Sequence, residues 1–528
     1  MRATGSSATR GIIGFIKSKF QSIGTIKEFK PQAGEAPEYT ILKKSLLDNM
    51  TYLNGQFDGC ADFISKEFVT CGHNAIILEM DNMVDKLQVT ESVLEPLVKA
   101  TPPVMIGSDD SVLFDWLRDN VFSSIDQKEA FSYEEVIGFL MAGFVIVLID
   151  GVDRAFVFGL QGFKFRSIAE PSTDKGLRGS REGFIEPLHF NMMLVRRRIK
   201  NQNLKFEIYT LGKESKTDIC IAYIKSITNE SILNEVRHRL RTIDLDTVLA
   251  SGYIQNYFQD DPFSIFSTVG STERPDTFCG RLNEGQIGLI VDNTPWTLTM
   301  PFVFIDNFQN MDDYTVGAYY ATFTRILKYF AFFTSVLIPA LYVAVGSFHQ
   351  SLLPTQLLYT LASAEELTPF SLVFEALFMQ VVYEMIREAG LRAPSQFGFA
   401  INIVGALIIG EAAVSAGLIG APMVIIVAIT ATSALIVPTL YEPGIILRFA
   451  FIFLAGMAGM YGIAMGIAFT AFHICAMKSY EVPYTAPISP FSSIALRDVL
   501  IRIPWKIMTK RKVTVQDLPA SNVDKTQG

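Results

Sequence analysis

"YFAFFTSVLIPALYVAVGSF", Tyr329 to Phe348, divides the chain. This uncharged run is about long enough to cross ~30 Å of hydrocarbon as a helix. Arg325 and Lys328 stand just before it and place its start on the cytoplasmic side. Pro339, inside the run, is tolerated in a membrane helix whose neighbours satisfy the freed carbonyl, and it is a candidate packing or gating position. Beyond it the chain stays apolar: only ten charged residues fall among the 149 from Tyr329 to Met477. The loop as far as Thr368 carries no Lys or Arg, as suits the outer side.

Whole-chain values hide this division. The 528 residues are 19% charged with a formal net charge of −8, and mean hydropathy is +0.30. That charge excludes the basic footprint of a nucleic-acid binder. Cys60, Cys71, Cys220, Cys279 and Cys475 are scattered, odd in number and without metal spacing, so they read as reduced thiols. "GIIGFI" is too short for the apolar core of a secretion signal. Arg10, Lys17, Lys19, Lys27 and Lys30 read either as a solvated tail or as a contact with anionic lipid.

From Leu42 to Met311 the pattern is α/β. "NAIILEMD" and "FVIVLID" are strand-like, and with "RAFVFGLQGF" the stretch Phe144 to Gly162 reads as a hairpin turning at Asp150-Gly151. "TESVLEPLVKA" and "FSYEEVIGFLMAG" read as helices with Thr90 and Ser132 in their first turns. In "EPSTDKGLRGSREGFIEPLHFNMMLVRRRI", Glu170 to Ile199, the front is loop and the back a helix. Phe184, Leu188, Met192, Val195 and Ile199 form its stripe, and Pro187 fits only near its first turn or at a kink. Arg196, Arg197 and Arg198 fan around that helix, with Arg197 pointing away from the stripe. They read either as a solvated helix end or as an anion or partner contact. "NLKFEIYTLG" and "DICIAYIKS" pair as strands. "NESILNEVRHRLRTI" and "LDTVLASGYIQNYFQD" are helices, and "EGQIGLIVDNTPWTLTMP" is a hairpin turning at Asp292-Asn293. No phosphate loop, dinucleotide fingerprint, zinc signature or nucleophile elbow occurs, so neither an enzyme nor a cofactor or metal site is indicated.

The expected fold class is an N-terminal α/β cytoplasmic domain of two subdomains followed by an all-α polytopic transmembrane bundle. The divisions are a basic tail (1–40), subdomains at 41–168 and 169–320, a membrane region at 321–477 and a basic cytoplasmic tail at 478–528. Five apolar segments conflict with two cytoplasmic ends, which need an even number of crossings. One segment is then re-entrant or interfacial, the fifth (Ile445 to Met477) is two, or the charge rule fails. Gly456 and Gly459 in that fifth segment permit close helix approach or a break.

Three glutamates stand out, because a carboxylate facing lipid is expensive. Glu375 and Glu384 lie on opposite faces of one helix. Glu384, near Arg387, is expected at a helix end on the membrane surface. Glu375 needs water, a partner helix or protonation. Glu411 sits beside Gly410 in the third segment, either at a packed interface or water path or in a protonated structural role.

The stretch Glu170 to Ile199 resembles the A subunit of GerA-type spore germinant receptors. The similarity continues through "VLASGYIQNYFQDDPFSIFSTVGSTERPD", "PALYVAVGSFHQSLLPTQLL", "EALFMQVVYEMIREAGLRAP", "IVGALIIGEAAVSAGLIGAPMVIIVAITA" and "APISPF". The resemblance implies a protein of the spore inner membrane acting with a multispanning B subunit and a lipoprotein C subunit. It implies an oligomer, with a pentameric ring among its forms, that conducts or gates cations when nutrient is sensed. Arg178, Arg181, Glu182 and Arg197 are its candidate subunit-contact residues; Glu375, Glu384 and Glu411 are candidates for an ion path. Two departures stand out: Glu411 where glutamine is expected, and Ser180 where proline is commoner. SpoVAF-type paralogues, which assist germination without being receptors, share much of this pattern. A secondary transporter would show repeats among its membrane segments, and none is visible; a structural scaffold is the remaining alternative.

Overall fold

A computed structural model describes residues 41–101, 110–122, 127–162, 171, 174, 176, 178–366, 368–393, 410–490 and 498–504. The soluble part is one nine-element unit built twice. Its first copy holds α1 (Leu46–Gln56), β1 (Phe63–Thr70) and β2 (His73–Met80). A helical run α2 follows, from Lys86–Val89 through Thr90–Leu94 to Glu95–Lys99. Then come α3 (Asp110–Asn120), β3 (Gln127–Ala130), α4 (Tyr133–Met141), β4 (Val145–Ile149) and β5 (Ala155–Phe158). The second copy repeats that order. It has α5 (Leu188–Arg198), β6 (Leu204–Leu211), β7 (Thr217–Ile224), α6 (Glu230–Thr242), α7 (Ser251–Phe258), β8 (Gly270–Thr272), α8 (Pro275–Asn283), β9 (Ile287–Val291) and β10 (Thr297–Met300). The antiparallel sheets have the same strand order, β1-β2-β4-β5-β3 and β6-β7-β9-β10-β8.

The repetition extends to individual hydrogen bonds. The Asn49 side chain accepts from Lys43 N (2.9 Å) and donates to Lys43 O (2.6 Å). Asn191 does the same with Ile185, at 2.9 and 2.5 Å. Asp150 Oδ1 accepts from Leu46 N at 3.0 Å, and Asp292 Oδ1 from Leu188 N at 2.8 Å, each across 104 positions. In both copies a hairpin-turn carboxylate thus satisfies an orphan amide at the start of the unit's first helix, where negative charge is favoured.

The sheets alternate their side chains between two cores, as period-2 geometry requires. Ile76, Leu78, Ile146 and Leu148 face a central core shared with α1, α4, α5, α8 and the second sheet. Ala75, Ile77, Val145 and Val147 face an outer core under α2 and α3. Residues of the second sheet such as Ile219 and Leu289 pack under α6 and α7. The result is five layers, helix–sheet–helix–sheet–helix.

One ion pair crosses the central layer. Arg196, fully buried on α5, donates from Nε and Nη2 to Asp62 Oδ2 and Oδ1 at 2.7 and 2.8 Å. Its Nη1 donates to the carbonyls of Leu204 (2.9 Å) and Asn201 (3.2 Å). Beside it Cys60 and Phe206 form a parallel bridge between the copies. The expectation of a solvated helix end at Arg196 to Arg198 is therefore corrected. The pull of a buried carboxylate outweighed the apolar stripe that put this position at a flank.

The hairpins at Asp150-Gly151 and Asp292-Asn293 and the β6–β7 pair are as expected. Pro187 is the N-cap of α5. Two helix starts differ. α2 begins at Lys86, because Asp85 Oδ1 accepts from Leu87 N and Gln88 N. α7 begins only at Ser251.

The helical region holds α9 (Ala318–Phe348), α10 (Thr355–Glu366), α11 (Leu372–Arg392), α12 (Ala421–Ala434) and α13 (Tyr441–Ala476). Among the described residues, two helices, Ala318–Phe348 and Pro438–Ala476, are long and apolar enough to cross a membrane. α10 is a helix in what read as loop. The third apolar segment lies outside the described residues as far as 409.

α13 is two helices. Gly459 has φ 60° and ψ −138°, and the chain reverses there. A Cβ on Gly462 would meet Leu454 O, and one on Gly466 would lie 2.7 Å from Phe451 Cε1. On a straight helix fifteen residues span about 22 Å, so the halves must fold back on one another. A Cβ on Gly456 would lie 2.6 Å from Val373 Cγ2, which marks the close approach of α13 and α11. Pro339 is buried inside α9.

Contacts fix the two ends of the bundle. At the end near the soluble part, Thr439 Oγ1 donates to Asn307 O (3.3 Å) and Ser264 Oγ lies 3.1 Å from His473 Nε2. At the far end, Gly459 adjoins Phe348 and His349, Gly346 adjoins Leu372, and Gly420 N donates to Glu375. The expected C-terminal tail is partly folded: Tyr480, Val482 and Ala486 belong to the second copy's outer core. α9 also begins before the expected boundary at 321, and the boundary near residue 168 lies outside the described residues.

Arg196→Ala should leave Asp62 buried without a partner and cost about 3–5 kcal/mol. Denaturant unfolding of the purified chain checks this. The paired change Arg196→Met with Asp62→Leu should recover most of the loss.

Candidate functional site in the bundle and at its joint

Arg448, on the first half of α13, is 1% exposed in the most apolar part of the chain. Its Nε donates to Ser335 O of α9 at 2.9 Å and its Nη1 to Gln380 Oε1 of α11 at 3.1 Å. Glu384 Oε1 lies 3.4 Å from Nη1. One guanidinium therefore ties three helices together, and a carboxylate balances it. Glu384 also accepts from Arg387 Nε (2.9 Å) and Tyr441 OH (3.1 Å), while the Arg387 guanidinium lies 4.1 Å from the Tyr441 ring. The expected Glu384–Arg387 pair is present, and it extends inward to Arg448. Sequence reading passed over Arg448, although a charge in a long apolar run was a sufficient signal.

Glu375 is 1% exposed, and Oε1 accepts from Gly420 N at 2.5 Å. Gly420 is the N-cap of α12, so the carboxylate meets the positive end of that helix. A partner helix is thus what this acid finds. Glu384 engages α13 instead, in keeping with opposite faces of α11. Glu411 is exposed on the outside of the chain's own packing. Gly410 is buried, and a Cβ there would lie 3.4 Å from Val424 Cγ1. Glu411 is therefore not brought together with Glu375 and Glu384 inside one chain.

The joint between bundle and soluble part is ionic and aromatic. Arg325 is fully buried; Nε donates to Asp313 Oδ2 (2.9 Å), and Nη1 to Asp498 Oδ1 (2.8 Å) and Asp498 O (2.5 Å). Lys328 reaches Asp313 at 3.2 Å, and Tyr314 OH donates to Asp498 Oδ2 at 2.6 Å. The Phe308 and Tyr329 rings stack at 4.0 Å, and Phe304 and Phe332 meet edge-on at 6.3 Å. Arg325, read at first only as a topology signal, is a structural centre.

The four residues of the arginine-rich motif separate. Arg178 and Arg181 are exposed. Glu182 is taken within the chain by Arg197 Nη2 at 2.5 Å and Arg198 Nη2 at 2.6 Å. Burial pushes the Glu182 carboxyl up, but the two guanidiniums outweigh it and hold it below the ordinary carboxylate range. Arg197 and Glu182 are thus paired within the chain. Burial pushes the Cys279 thiol up to about 12, which leaves it unreactive at neutral pH.

The profile of the Bacillus/Clostridium GerA spore germination protein matches residues 51–514. The chain belongs to the GerA spore germination family. Spore germination protein KA of Bacillus subtilis is 38% identical over 484 residues, covering 90% of this chain and 87% of its own. The uncharacterized membrane protein YfkQ of Bacillus subtilis is 35% identical, covering 89% and 91%. Spore germination protein GerLA of Bacillus cereus is 36% identical, covering 77% and 83%. The crystal structure of the N-terminal domain of the A subunit of the Bacillus megaterium spore germinant receptor GerK3 is 26% identical, with a TM-score of 0.40. It covers 50% of this chain and 98% of that one.

Two outcomes check this GerA-family site. Arg448→Ala should lower the melting temperature of the detergent-purified chain more than Arg387→Ala, because only Arg448 holds three helices together. The depressed Glu182 carboxyl contributes stability that is present above its ordinary pKa of about 4.5 and lost as pH falls through its lower folded value. Glu182→Gln should therefore flatten the acid limb of a melting-temperature profile below about pH 4.5.

Proposed function

We propose that this chain is the A subunit of a germinant receptor in the spore inner membrane and that it relays a nutrient signal to a cation-conducting bundle. Family membership and similarity to spore germination proteins over most of the chain support the role. The observation that carries the mechanism is the joint at Arg325. Asp313 of the soluble part and Asp498 of the C-terminal segment both close on one buried guanidinium at the base of α9. Movement of the soluble repeats therefore reaches the bundle through a stiff ionic contact.

The bundle makes six crossings in this reading. α9, α11, α12 and the two halves of α13 supply five, and the third apolar run of the sequence, 397–420, is assigned the sixth from its composition alone. An even number keeps both chain ends on the cytoplasmic side. Arg448 and its partners on α9 and α11 pack the middle of a single copy. The path then runs between copies of a homo-oligomer, where the outward-facing Glu411 is available, with B and C subunits completing the receptor. Glu375 and Glu384 are occupied within the chain and act on the path through helix position.

A second reading, an accessory germination channel of the SpoVAF type, is kept open by the similarity to an uncharacterized membrane protein over 89% of this chain. Spores lacking the chain separate the two. Loss of response to one nutrient alone supports the receptor subunit, and slowed germination to every nutrient supports the accessory role.

Glu411→Gln should change potassium release from germinating spores while leaving the amount of chain in the membrane unchanged. Unaltered release removes Glu411 from the path.

A further inference from the structure

Phe263 is 95% exposed, the most open large apolar side chain among the described residues that precede α9. It lies in the loop between α7 and β8, held in a fixed turn. Asp261 Oδ1 accepts from Phe263 N at 3.0 Å, and Asp261 O accepts from Ser264 N at 3.2 Å. The next residue anchors the loop to the bundle: Ser264 Oγ lies 3.1 Å from His473 Nε2 and 3.3 Å from Met477 Sδ. Phe266 follows, buried near the His473 ring at 6.4 Å. A fully open phenylalanine is thus fixed beside the last turn of α13.

The surroundings there suit a bilayer boundary. Phe469 and Phe472, both 76% exposed, continue the apolar surface along the second half of α13. Lys478, just past the helix end, lies 3.7 Å from Glu481 and is still 58% exposed, so its long side chain can reach lipid headgroups. The loop's acids do not oppose such a contact. Asp260 is paired with Arg239 at 2.6 Å, and Asp261 is turned to the Phe263 amide. An exposed aromatic side chain at the end of a span is characteristic of membrane–water interfaces.

We infer that the loop between α7 and β8 seats Phe263 in the headgroup–acyl boundary of the leaflet facing the soluble part, so that the second repeat rests on lipid as well as on the bundle. The occupant is bilayer lipid, because the loop is anchored at the end of an apolar helix that itself exposes Phe469 and Phe472. The inference rests on the membrane reading of α13. Its consequence is a second route into the soluble repeats: leaflet tension or composition acts on α7 and the second sheet without passing through the Arg325 joint.

The test attaches an environment-sensitive nitrobenzoxadiazole label at Phe263→Cys in the full chain, in a Cys71→Ser, Cys475→Ser background. The chain is reconstituted in phosphatidylglycerol–phosphatidylethanolamine vesicles. Phe263 is almost fully open, so the label displaces almost nothing in the chain. Matching labels at Phe469→Cys and Leu47→Cys report acyl chain and water. The expected result is blue-shifted emission at 263 relative to 47, quenched by lipids bearing a nitroxide near the headgroup and protected from aqueous iodide. Iodide quenching equal to that at 47 overturns the inference, as does a blue shift without nitroxide quenching, which means a second copy or another protein covers the site. Should the label at 469 also escape nitroxide quenching, the membrane reading itself fails.

Discussion

The soluble architecture depends on one buried ion pair, Arg196 with Asp62. Each repeat alone would expose one face of its sheet and the helices lying on it, an apolar surface too large to leave in water. Sharing a central core solves this, and burial there stabilises at about 25 cal/mol per Å². Apolar contact alone, however, tolerates sliding. A guanidinium with both carboxylate oxygens and two backbone carbonyls in place has one geometry, and it fixes how the copies meet. Such a pair contributes more to specificity of packing than to net stability.

The same chemistry recurs wherever the chain joins unlike parts. Arg325 joins soluble part, first long helix and C-terminal segment; Arg448 joins three apolar helices. Arginine suits these places because its planar fork makes several bonds at once and keeps its charge when buried. The carboxylates follow a parallel logic. Asp150, Asp292 and Glu375 each accept from a backbone amide at a helix start, so an acid becomes part of a helix end.

Much of this was legible in the sequence. Hairpin turns at Asp150-Gly151 and Asp292-Asn293, the stripe of α5 and the first long apolar run all follow from local periodicity and turn chemistry. The tandem repeat was not legible, because the copies share element order and a few polar residues rather than apolar identity. Asn49 with Asn191 and Asp150 with Asp292 are its visible trace. Long-range charge pairing was the part least visible. Arg196 was assigned from its position on a helix and Arg325 from a membrane rule alone, whereas Asp62 and Asp498 lie 134 and 173 positions away along the chain. The reversal at Gly459 was open in principle, since a run too long for one passage and rich in glycine admits a break; the closely spaced contacts of Gly462 and Gly466 decide it.

That reversal has a mechanical consequence. Because the last helix comes back to where the first one left, the bundle is strung between two anchors on the same rigid body. A tilt of the second repeat therefore loads the opening and closing helices together rather than tugging on a single free strand. With α11 and the first half of α13 bound to the opening helix by Arg448, the bundle answers as a frame and not as separate rods.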